Sequence, residues 1–93
     1  MKIEVINYSP YSEGVIRAFI DIFIPSIGME IFGCVLCERP PCRWINLPRR
    51  EYFTPAGERA YREIIRFRSN RDWKVFHADL KKAIDEYKET NGL

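Results

Sequence analysis

Histidine is nearly absent from this chain of 93 residues: His77 is the only one, and it comes with just three cysteines. An odd, low cysteine count does not fit a disulfide-stapled secreted domain, so reduced thiols and a cytoplasmic location are expected. Cys34, Cys37, Cys42 and His77 have the residue types of a Cys3His zinc site. The spacing argues against one. Val35 and Leu36 are strand formers rather than knuckle-turn residues, and on a regular strand Cys34 and Cys37 point to opposite faces. Small buried hydrophobes are the expected role of these thiols, and neither a metal nor a cofactor is expected. Long apolar runs are missing as well. Val15 to Cys37 is interrupted by Arg17, Asp21, Pro25 and Glu30, short of the ~20 apolar residues of a membrane helix. Met1-Lys2-Ile3-Glu4 lacks the basic-then-apolar order of a leader, so no membrane partner is expected. There is no glycine-rich phosphate loop, no nucleophile elbow and no carboxylate pair, since Glu13 and Asp21 have no reason to converge. The expectation is a protein that is not an enzyme and has no small-molecule substrate.

What remains is ordinary globular composition, 46% apolar and 30% charged. Five glycines and six prolines are scattered as turn punctuation, with no repeat and no linker. One domain over residues 1–93 is expected, with strands over about 3–67 and a helix over about 71–90.

Val15 to Ile24 is the clearest strand. Ile16, Ala18, Ile20, Ile22 and Ile24 form one apolar row, while Arg17, Phe19, Asp21 and Phe23 lie in the other. After Pro25-Ser26, Ile27 to Cys37 predicts an antiparallel partner, with Met29, Ile31, Val35 and Cys37 on one face and Phe32, Cys34 and Leu36 on the other. Ile3 to Tyr8 and Arg43 to Leu47 predict flanking strands. Arg49 to Glu58 predicts a loop. Arg59 to Phe67 fits a fifth strand better than a helix. Trp73, Phe76, Leu80, Ala83, Ile84 and Tyr87 recur every three or four residues, the stripe of an amphipathic helix, and Ser69 or Asn70 caps it. The stripe needs an apolar sheet face to cover. The expected fold is therefore α+β: a curved antiparallel sheet of four to five strands with one long C-terminal helix packed on one face.

The net charge of +2 hides an uneven distribution. Residues 1–38 hold two basic and five acidic side chains, −3. Residues 39–71 hold nine basic and three acidic, +6, and residues 72–93 hold four and five, −1. All nine basic residues of the middle segment are arginines, interleaved with Trp44, Tyr52, Phe53, Tyr61 and Phe67. Arginine forks bind phosphate with two parallel hydrogen bonds, and aromatic rings stack on unpaired bases. This pattern points to a DNA or RNA surface, with Arg49, Arg50, Arg66, Arg68 and Arg71 on phosphates and Tyr52 or Trp44 against a base. The competing expectation is a solvated face whose arginines pair with Glu51, Glu58 and Glu63. Phe19, Phe23 and Phe32 make the mixed face of the hairpin more apolar than a solvated sheet face, and a homodimer interface is the expected use. A protein-interaction module built on that face is the alternative function.

Several short motifs occur in a familiar order. Gly14 to Phe19 (Gly-Val-Ile-Arg-Ala-Phe) opens the second strand, Trp44 to Arg50 reads Trp-Ile-Asn-Leu-Pro-Arg-Arg, and a strand ending near Phe67 precedes a helix containing Tyr87. Over about Ile3 to Tyr87 the chain resembles the SpoVG (stage V sporulation protein G) family of small bacterial regulators. The turn Glu38-Arg39-Pro40-Pro41-Cys42 and the loop Arg49 to Glu58 depart from the family pattern. The resemblance implies a sheet-plus-helix domain, homodimerisation through strands and direct binding of DNA and RNA. It also implies that basic residues between sheet and helix, here Arg66, Arg68 and Arg71, touch nucleic acid.

Overall fold

A computed structural model describes all residues from Met1 to Leu93. Strands β1 (Glu4–Glu13), β2 (Ile16–Ile24), β3 (Met29–Arg39) and β4 (Cys42–Asn46) form an antiparallel meander in the order β1-β2-β3-β4. Strands β5 (Arg49–Phe53) and β6 (Arg59–Glu63) form a separate two-stranded antiparallel ribbon. Helix α1 (Asn70–Thr90) closes the chain. The α+β class and the single C-terminal helix follow the expectation from periodicity.

Alternation decides which side of the sheet is covered. Ala18, Ile20, Ile22 and Ile24 of β2 are all buried, as are Phe76, Leu80, Ala83 and Ile84 of α1. They join Ile31, Cys34, Leu36 and Ile45 in one core. Burying an isoleucine or leucine side chain contributes about 1.5–3 kcal/mol, so this layer dominates the stability of the fold. The helix starts where Ser69 accepts a hydrogen bond from the Asp72 amide, a side-chain cap on an otherwise unpaired donor.

Strand β3 departs from its predicted parity. Ile31 faces the core, but so do Cys34 and Leu36, while Val35 pairs with Phe19 on the opposite face. The switch occurs at a bulge, where Phe32 and Gly33 together oppose Asp21. Gly33 has φ +84°, a region that disfavours a Cβ, and its N–H donates to Asp21 Oδ1 at 2.9 Å. One extra residue thus turns the second half of the strand over.

The segment Arg49 to Glu58 is not a loop throughout. Its first half is β5, and only Thr54 to Glu58 turns, with the Thr54 N–H donating to the Glu58 carbonyl and Gly57 at φ +80°. Strand β6 ends at Glu63 rather than near Phe67. β5 is exposed along its whole length and β6 everywhere but at Ala60, which explains the missing signal: periodicity reports a half-buried strand, and this ribbon has no buried side.

Two contacts tie α1 to the free edge of β4. The Ile45 N–H donates to His77 Nε2 at 2.9 Å. Arg43 forks onto both carboxylate oxygens of Asp85, at 2.5 and 3.0 Å, which holds the Asp85 carboxyl below its ordinary range. His77 is therefore a neutral structural imidazole. Burial, helped by Lys81 and Arg43, lowers its pKa from 6.5.

The three thiols do not converge. Cys34 lies in the core, where burial and then the Asp21 charge push it up to about 12. Cys37 pairs across from Trp44, and burial also raises its pKa, against the pull of Arg49 and Arg17. Cys42 is exposed in the β3–β4 turn. No three His, Cys, Asp or Glu side chains stand close enough to share a metal ion.

Candidate functional site

The arginine-rich segment becomes a site through the register of the ribbon. Arg49 opposes Glu63, Glu51 opposes Tyr61 and Phe53 opposes Arg59, so these six share one face. Arg50 opposes Arg62 and Tyr52 opposes Ala60 on the other. Diagonal neighbours on the first face interact. The Arg49 guanidinium lies 4.8 Å from the centre of the Tyr61 ring, and Arg59 Nε stands 3.2 Å from Glu51 Oε1.

This first face turns towards the helix start. Arg49, Tyr61 and Glu63 line a cleft of about 430 Å³ with the segment after β6, which contributes Arg66, Phe67 and Arg68. Asn70 and Trp73 of α1, Asn46 of β4, and the apolar Leu47 and Ile65 complete it. Trp73 is half-buried and fixed by aromatic neighbours, with ring centres 4.9 Å from His77, 6.1 Å from Phe67 and 6.2 Å from Phe76. Three guanidinium groups face this space, against the single carboxylate of Glu63.

Few of the arginines are neutralised. Within residues 39–71 the ion pairs are Arg43–Asp85 and Arg59–Glu51. Arg39, Arg49, Arg50, Arg62, Arg66, Arg68 and Arg71 have no carboxylate partner. Of the expected local pairs to Glu51, Glu58 and Glu63, only the one to Glu51 forms. Arg50 and Arg62 face each other directly, an unfavourable like-charge arrangement unless an anion lies over both.

The candidate residues named from the sequence divide into groups. Arg49, Arg66 and Arg68 converge on the cleft. Arg50 and Tyr52 lie on the opposite face of the ribbon. Arg71 is exposed in the first turn of α1, outside the cleft lining. Trp44 is half-buried on β4 opposite Cys37 and does not line the cleft. Sequence reasoning missed Tyr61, Trp73 and the two asparagines as site residues. The helical period places Trp73 wholly in the core stripe, and only the β5–β6 register brings Tyr61 under Arg49.

Phe19, Phe23 and Phe32 all lie on the sheet face away from α1. Phe19 is 38% exposed, with its ring centre 5.1 Å from that of Tyr11, and Phe32 is 60% exposed. Phe23 is half-buried. No helix of the chain is long and apolar enough to cross a membrane. No protein-family model, curated protein or solved structure matches the chain.

Proposed function

We propose that this protein is a nucleic-acid-binding regulator that holds DNA or RNA through its arginine-rich segment, with no chemical step and no cofactor. One observation carries the proposal: three arginines without carboxylate partners meet at a cleft that also presents Tyr61, Phe67 and Trp73. Cations beside aromatic rings match a chain of phosphates carrying flat bases. The resemblance to the SpoVG family supports the same reading. Contacts of this kind go mostly to the backbone, so sequence preference is weak and salt dependence strong.

A polarisation titration with labelled single-stranded DNA, duplex DNA and RNA tests it. With three phosphates neutralised, affinity falls roughly 20-fold for single strands and roughly 40-fold for duplex DNA between 50 and 200 mM salt. Arg49→Ala/Arg66→Ala/Arg68→Ala loses at least tenfold and flattens the salt dependence. Absence of binding to all three probes at low salt rejects the proposal.

The open sheet face favours a second role beside the first, as a homodimer interface around Phe19, Phe23 and Phe32. Light scattering then gives twice the chain mass, and Phe32→Asp returns the monomer. A monomer of the unaltered chain at high concentration removes this role.

A further inference from the structure

The cleft has a shape that a general polyanion surface does not need. We propose that it receives one unpaired nucleotide, so that the protein prefers single-stranded to duplex nucleic acid. This inference rests on the nucleic-acid reading above and narrows it.

Three features separate a nucleotide from other anions. The first is concavity: about 430 Å³ lies within the range of small-ligand sites, roughly 300–1,000 Å³. A duplex keeps its bases stacked inside and offers phosphates on a convex surface, so no base enters the cleft without leaving its pair. The second is the pairing of cation and ring. Arg49 over Tyr61 sets a cation on a ring where a base can stack, while Arg66 and Arg68 remain available for the phosphate. Trp73 supplies a wall already fixed by Phe67, Phe76 and His77, so its ordering is complete before binding. The third is unspent amide chemistry. The Asn70 side chain makes no hydrogen bond within the chain, and Asn46 Nδ2 has only the Cys37 sulfur at 3.9 Å. A side-chain amide offers a donor and an acceptor together, which suits the edge of a base. An acidic peptide would use the cations and the amides but brings no flat base to stack on the Arg49–Tyr61 pair.

The ribbon supplies an internal control. Arg50 and Arg62 lie on the face away from the cleft and meet backbone phosphates of either form alike.

The test is polarisation at one low salt concentration, with a labelled mixed-sequence 12-nucleotide DNA strand and the same strand annealed to its complement. The single strand is expected to bind at least tenfold tighter. Tyr61→Ala removes that preference, lowering single-strand affinity by a larger factor than duplex affinity. Tyr61→Phe keeps the preference, because the ring remains. Arg50→Ala/Arg62→Ala weakens both probes equally. Helicity measured by circular dichroism confirms that each variant is folded, and Tyr61 is half exposed on a ribbon that carries no core. Equal affinity for both forms, or a preference unchanged in Tyr61→Ala, overturns the nucleotide cleft and leaves the broader reading standing. No binding of either probe overturns both.

Discussion

The four-stranded sheet and the β5–β6 ribbon are built from the same backbone geometry to opposite ends. In the sheet, the buried side chains of β2 share one core with the helix stripe, and no buried side-chain polar atom lacks a partner. In the ribbon, four arginines, two tyrosines and a phenylalanine stand in ten residues, and not one residue is buried. An isolated two-stranded hairpin is marginal in water on its own. The ribbon therefore draws its order from being tethered between β4 and α1, and its sequence is left free for surface chemistry. The comparison separates what keeps this protein folded from what it presents.

The contrast can be broken most forcefully at the helix. Leu80 is fully buried, and Leu80→Ala is expected to cost about 2–5 kcal/mol in urea unfolding. A loss below 1 kcal/mol would mean that the helix is not the lid of the core. The seam between the regions comes next. His77→Ala leaves the Ile45 N–H without its acceptor, at a cost of about 1–3 kcal/mol. The burial of the same imidazole sets a pH dependence. The folded chain holds His77 neutral with its pKa below 6.5, so the unfolded chain binds more protons as the solution is acidified. The contribution is complete above pH 6.5 and is lost as pH falls from there through the folded value. Unfolding midpoints from pH 7.5 to 5 should show this slope in the native chain and less of it in the variant. The smallest effect belongs to the ribbon. Tyr52→Ala should shift stability by no more than about 0.5 kcal/mol. A larger loss would show that the ribbon is part of the folding unit rather than an appendage.

The same contrast explains what the sequence made legible. The β2 row, the helix stripe and the Ser69 cap were all readable, because a side chain that alternates between core and solvent leaves a periodic trace. Strand β3 was readable as a strand but not in its facing, since Gly33 resets the alternation and a bulge has no periodic signature. β5 reads as a loop for a related reason: with both faces wet, Arg49 to Phe53 carries no apolar row. The arginines were legible as a cluster in sequence. Their partition was not, because it depends on which residues of β5 and β6 oppose one another. Trp73 shows the limit from the other side, as a residue whose periodicity places it in the core while its exposed part walls a cleft.

The hydrogen bond from Ile45 to His77 has a consequence for assembly. It occupies an outward-pointing donor of β4, so one border of the four-stranded sheet is already bridged by the chain's own helix. The other border, β1, has no neighbouring strand. A further strand would therefore meet free backbone groups along β1 but an occupied donor at Ile45 of β4. Were two copies to join border to border through β1, the joined sheet would end in two β4 strands, each tied to its own helix at Ile45 and Arg43. Such a union would leave only β4 borders exposed, each with its Ile45 donor already occupied.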